Sequence, residues 1–445
     1  MLFRQHIKHT LLLAWPLILA QVGHIVTGMV DNVFLGLYFG ETEQAAGIVS
    51  NQLFVLLLVF NIGISFAITP LIASAEVNKN LAEKASLFKN ALVLIPLIAV
   101  VIFSILYFST PVLAYMHQPA DVVELAKPFF RVLAFSIVPV SFFFVCKQYC
   151  EGLGKTMPGM LISIGGNILN VILNYVLIKG KFGFPNLGYM GSAWATFYAR
   201  CFMGICFLII VFYSKKFNPG KEFFRKAKIN FYHLKKLFLI GMGSAFQFTF
   251  EVAAFVIAGL MIGSFGKESI DAHGIALGMA AFTYMFASGI SGAVTIRVGQ
   301  FKGTNDFKNI KGAGNAAFAL VMISMGFFAL IFLSLNEILP FGFTKSAEIA
   351  KLSSELLIIA AFFQMFDGVQ VTALGILRGM EDVKFPTIIT LIAYWGMALP
   401  LAYFLGFTLH FEIYGIWMAL SVSLIFTAVS LYLRFRKLVS EKNKL

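Results

Sequence analysis

The apolar residues of this chain come in long blocks, each of the length that crosses a bilayer. Blocks lie near 11–37, 46–72, 88–110, 125–149, 158–179 and 189–213, and again near 235–262, 273–297, 313–335, 352–376, 386–408 and 415–435. A hydrocarbon core about 30 Å thick takes ~20 apolar residues to cross as a helix. Inside lipid every backbone N–H and C=O must find its partner within the protein, which leaves helices and closed barrels. Blocks this long read as helices, so the chain is predicted to be an all-α polytopic membrane protein with twelve transmembrane helices. Of its 445 residues 59% are hydrophobic and 12% charged, too few charges for the surface of a soluble protein this long.

A net charge of +13 is the kind of excess that binds nucleic acid. Here the bases are dispersed between apolar blocks, so no nucleic-acid partner is expected and the surroundings are the lipid bilayer. Most bases gather on one side of the predicted membrane. They include Arg4 and Lys8, Lys79, Lys84 and Lys89, Lys147 and Lys155, and a central stretch from Lys215 to Lys236. Arg297, Lys302, Arg378, Lys384 and the basic end near Arg434 fall on the same side. Positive loops face the cytoplasm, so both termini are expected there. The opening apolar block is read as a retained span, with no cleavable leader. Cys146, Cys150, Cys201 and Cys206 fall in or beside spans without metal spacing and read as packing residues.

The basic stretch 214–234, with Asn218-Pro219-Gly220, reads as a cytoplasmic linker between an amino-terminal lobe, 1–213, and a carboxyl-terminal lobe, 235–445. The two lobes resemble each other. Gln44-Ala45-Ala46-Gly47 matches Asp271-Ala272-His273-Gly274, Gly63 matches Gly289, and Glu151-Gly152-Leu153-Gly154 matches Arg378-Gly379-Met380-Glu381, all at nearly one offset. Six spans are an even number, so the second copy enters from the same side as the first. The repeats are parallel, giving two pseudo-symmetric six-helix bundles able to rock about a central cavity. No filter-like loop suggests a channel. No GxxxxGK[ST] motif suggests ATP, so an ion gradient is the expected energy source.

Three acids interrupt otherwise apolar spans: Asp31, Glu251 and Asp367. An intramembrane carboxylate is costly and marks a functional site by default. Such a group either takes up and releases a proton or, with neighbouring oxygens, coordinates Na⁺. Glu251 and Asp367 belong to one lobe and form a candidate pair for H⁺ or Na⁺. Asn167, Asn170 and Asn174 share one helix face, which serves either to pair with Asp31 or to join helices as polar glue. Gln21, Gln52, Gln247, Tyr284 and Gln364 are further candidates for supporting or cavity-lining residues. His24 and His273 are weaker candidates for proton relay. Arg200 reads as the only base within a span.

Several stretches then resemble the multidrug and toxic compound extrusion (MATE) family, in its bacterial NorM-like branch. They are Gln21 to Gly36 with Thr27-Gly28-Met29-Val30-Asp31, Thr295-Ile296-Arg297-Val298-Gly299-Gln300, and Gln148 to Gly154 followed by Pro158. The resemblance implies a two-lobe antiporter of the bacterial inner membrane, a monomer and not an enzyme. It implies export of amphipathic, often cationic drugs or metabolites in exchange for inward H⁺ or Na⁺. It also implies coupling roles for Asp31, Glu251 and Asp367. The segment Thr69 to Glu76 departs from the family's Gly-containing turn. The second reading is a flippase of related fold for lipid or lipid-linked saccharide; an anionic headgroup calls for a more cationic cavity than Arg200 alone supplies.

Overall fold

The computed structural model describes residues 1–115, 119–214, 216–217 and 221–442. It is a helical membrane fold. Eleven helices among the described residues are long and apolar enough to cross a bilayer, and a 36-residue helix at the amino terminus completes the twelve. In chain order they are α1 (Phe3–Tyr38), α2 (Glu41–Val77), α3 (Leu81–Phe108), α4 (Ala120–Gly152), α5 (Met157–Lys179) and α6 (Met190–Tyr213). The second set is α7 (Phe231–Ile262), α8 (Lys267–Gly303), α9 (Phe307–Leu335), α10 (Ala347–Gly379), α11 (Lys384–Thr408) and α12 (Glu412–Lys442). A short helix, Lys221–Lys226, lies in the basic stretch between them. The side chain of His24 lies outside the described residues, as do Lys215 and Lys444 of the basic stretches.

Prolines explain where the long helices are interrupted. α2 is two helices, Glu41–Ser65 and Ile68–Val77, and α4 is Ala120–Phe135 followed by Ile137–Gly152. Pro70 and Pro139 each take the third position of the second piece, inside the first turn, where an N–H has no helical acceptor. The interruption in each case falls just ahead of the proline. In α11 the turns around Pro400 widen to π-helix at Ile392–Ala398 and Phe404–Thr408, which absorbs the missing donor over several residues.

The duplication is visible in local geometry. Asn80 caps α3 by accepting from Glu83 N at 3.0 Å, and Asp306 caps α9 by accepting from Asn309 N at 3.0 Å. The residue before each cap, Lys79 and Asn305, is left-handed at φ 52° and 55°. Thr69 donates to the carbonyl of Gln148 at 3.1 Å, and its counterpart Thr295 donates to that of Gly375 at 2.8 Å.

The chain forms two compact units. The amino unit is Leu19–Ala245; the carboxyl unit is Phe246–Leu445 together with Met1–Ile18. The division falls inside α1 and α7, not at the 214–234 linker. Close helix contact explains the membership. A Cβ on Gly63 of α2 would lie 2.5 Å from Ala245 Cα, and one on Gly289 of α8 would lie 2.8 Å from Ile18 N. Glycine lets the amino-terminal half of α7 onto α2, and the amino-terminal half of α1 onto α8. Ala14 and Leu17 accordingly belong to the carboxyl unit's core with Ile290, Val294 and Phe435. The amino unit has its own core around Phe54, Phe129 and Phe130.

Candidate functional site

Each unit buries a polar cluster around the acids that interrupt its spans. In the amino unit Asp31 is 3% exposed. Asn174 Nδ2 donates to its Oδ1 at 2.8 Å, Asn170 Nδ2 to the same oxygen at 3.3 Å, and Thr196 Oγ1 to Oδ2 at 2.6 Å. The spacing of Asn170 and Asn174 on α5 puts both amides on the face toward Asp31. Asn167 turns to a different task and donates to the carbonyl of Gly23 at 2.8 Å. The asparagine stripe therefore does both of the things that its spacing allowed. Arg200, one turn beyond Thr196 on α6, lies within electrostatic reach of Asp31. Its guanidinium donates to Ser136 Oγ at 2.5 Å, at the interruption of α4, and stacks 4.5 Å from the ring of Phe54.

The carboxyl unit holds Glu251 on α7 and Asp367 on α10, 6% and 9% exposed. Gln370 Nε2 donates to Glu251 Oε1 at 2.9 Å, and Tyr394 Oη donates to the same oxygen at 3.3 Å. Gln370 also bonds Tyr394 Oη at 3.0 Å, so the three side chains form a closed ring of hydrogen bonds. Asp367 sits one turn before Gln370 and within electrostatic reach of Glu251. Tyr284 on α8 is within reach of both carboxylates. Trp395 Nε1 donates to the carbonyl of Phe250 at 3.2 Å, fixing α11 beside the turn of α7 that carries Glu251.

The other candidates lie farther from the acids in role or place. Thr283 donates to Gln364 Oε1 at 2.9 Å, bracing α8 against α10. Gln247 is buried one turn before Glu251; Gln21 is half-buried on α1 and Gln52 exposed on α2. Trp417 Nε1 donates to His273 Nδ1 at 3.2 Å, giving that histidine a structural partner. Sequence reasoning missed Thr196, Gln370 and Tyr394. Gln370 alone carried a signal, one turn from Asp367. The placement of Arg200 as the sole in-span base is corrected: α8 and α10 run on far enough to contain Arg297 and Arg378, and Arg297 is 3% exposed.

Chemically, each cluster gathers buried hard oxygen donors. The amino unit offers two carboxylate oxygens, the Thr196 hydroxyl, and the amide oxygens of Asn170 and Asn174. Both amide oxygens are buried without a hydrogen bond among the described residues. The carboxyl unit offers two carboxylates with an amide and a phenol. Such sets suit a proton or a small hard cation.

The family description MatE matches residues 16–176 and 244–404, one match in each half of the chain. The chain belongs to the MATE family. It is 31% identical over 440 residues to "Probable multidrug resistance protein NorM" of Xylella fastidiosa (strain 9a5c), covering 99% of this chain and 93% of that one. It is 30% identical over 438 residues to "Multidrug resistance protein MdtK" of Photorhabdus laumondii, covering 96% and 94%. The fold superposes on the bent form of the Vibrio cholerae MATE transporter VcmN with a TM-score of 0.87 at 18% identity, covering 99% and 98%. MATE membership accounts for the twelve helices and for the two-fold match along the chain.

Proposed function

We propose that this MATE protein is a secondary active efflux transporter. It exports amphipathic, often cationic compounds in exchange for inward H⁺ or Na⁺ by alternating access. The observation that carries the reading is the pair of buried, oxygen-rich carboxylate clusters, one per unit: Asp31 with Asn170, Asn174 and Thr196, and Glu251 with Asp367, Gln370 and Tyr394. The names of the relatives, multidrug resistance proteins, support the choice of cargo. In this reading Glu251 and Asp367 take the coupling cation, with Na⁺ held at that pair if Na⁺ is used, and Asp31 forms a second proton site. Coupling requires each ligand to favour a different arrangement of the protein. The six-helix lobes 1–213 and 235–445, a monomeric state, an inner-membrane location and cytoplasmic termini belong to the same reading.

The flippase reading is less well supported. An anionic headgroup needs free cations, whereas Arg200 is engaged by Ser136 and Phe54, and Arg297 by His6 and Thr10. Transport in proteoliposomes tests the choice. An ethidium-like cation is expected to move against imposed pH or Na⁺ gradients, and Glu251→Gln or Asp367→Asn to abolish gradient-driven movement. Gradient-independent movement, or phospholipid scrambling in place of cation export, overturns the proposal.

A further inference from the structure

Arg297 on α8 is 3% exposed and reaches the foot of α1. Its Nη1 donates to the carbonyl of His6 at 2.8 Å and to Thr10 Oγ1 at 2.7 Å, and its Nη2 meets His6 Nδ1 at 2.7 Å. A guanidinium has only donors and keeps its charge in proteins. At that distance Nδ1 of His6 is therefore the acceptor, and the imidazole is neutral with its proton on Nε2. His6 is itself 2% exposed. Its ring meets Phe301 edge-on at 6.1 Å, and it lies so close to α9 that a Cβ on Gly312 would fall 2.5 Å from Nε2.

The formal charges facing His6 are positive, Arg297 from α8 and the Met1 amine from its own end of the chain, where His9 is a further titratable neighbour. Asn309 from α9 contributes a neutral amide, and its Oδ1 accepts from the Met1 amine at 3.2 Å. Asp306 faces that amine. A second proton on His6 would put an N–H against the guanidinium and a third cation in the socket. The counterpart at the foot of α7 differs. His233 Nδ1 meets Ser86 Oγ at 2.8 Å, and a hydroxyl both donates and accepts, so that contact survives protonation.

We propose that Arg297 is a positioning residue that docks the foot of α1 through the neutral form of His6, and that protonating His6 releases the foot. The contact is present while the imidazole is neutral and is lost as the pH falls through its titration. Only the consequence of release rests on the transport reading: α1 also carries Asp31, so cytoplasmic acid loosens one end of the helix that holds a candidate coupling acid.

The test uses the full chain in lipid nanodiscs with two readouts, neither of which needs transport. Histidine nitrogen NMR follows His6, identified by the signal absent in His6→Asn. A spin label at Leu2→Cys, in a background without Cys146, Cys150, Cys201 and Cys206, follows the mobility of the foot. The label is expected to be immobile at about pH 7.5 and to become mobile, reversibly, as the pH is lowered and His6 is protonated. His6→Asn keeps an acceptor near the Nδ1 position without titrating, so its label stays immobile throughout. Arg297→Gln and Gly312→Ala, which remove the fork and crowd the ring, mobilise the label already at about pH 7.5. A wild-type label that does not follow His6 protonation, or a His6→Asn label with the wild-type pH curve, overturns the proposal. Failure of the export assay would instead count against the transport reading alone.

Discussion

A carboxylate in the apolar interior survives by the donors around it, and both clusters use a threonine, asparagine, glutamine or tyrosine for that purpose. A hydrogen bond to a charged group is worth about 1.5–3 kcal/mol net. Gln370→Leu removes the amide that donates to Glu251 at 2.9 Å, and gradient-driven export is expected to fall about tenfold or more. Tyr394→Phe, which loses a longer bond, is expected to cost less in the same proteoliposome assay. The acids were legible in the sequence because a charge in an apolar block stands out, and the asparagine stripe because its spacing names a face. Thr196 and Tyr394 were not legible. Each is an ordinary residue on its own helix, and only the packing of helices distant in sequence brings it to a carboxylate.

At the scale of the element, helix ends and close approaches hold the fold. Gly289→Ala places a Cβ 2.8 Å from the backbone nitrogen of Ile18. Overpacking of this kind costs ~1–3 kcal/mol, so a lower unfolding temperature in detergent is expected, with Ala14 and Leu17 pushed from their core. Asp306→Ala deletes the cap of α9 and should cost about 1 kcal/mol. The Asn309 side chain and backbone N–H hold the Asp306 carboxyl below its usual range. Its contribution is therefore full at neutral pH and fades as acid protonates it, and a thermal-unfolding series against pH should show Asp306→Ala converging on wild type at the acid end. The twelve apolar blocks were read correctly because length and hydropathy determine a span. The helix ends ran past the apolar edges: polar residues continue a helix readily once its first turns are fixed, and this is how Arg297 and Arg378 came to lie within α8 and α10.

For the whole molecule, the linker was the natural place to divide the chain by composition, yet compactness divides it at Ile18 and Ala245. Nothing in a hydropathy pattern reveals this, because both sides of each division are the same continuous helix. A chain lacking residues 1–18 loses a piece of the carboxyl unit's core, and should accumulate poorly and exchange backbone hydrogens faster in α8 than in α5; equal exchange in the two helices would argue against this. There is also a consequence for the order of synthesis. Residues of α1 are made early yet buried late, since Ile18 and His6 wait for α8 and α9 to be translated. The amino unit likewise stays incomplete until Ala245 has been made. The amino unit, a continuous stretch, can close once Ala245 is made, but the carboxyl unit needs a segment made before all of that, so this chain must carry an unfinished amino-terminal helix through most of its insertion into the membrane.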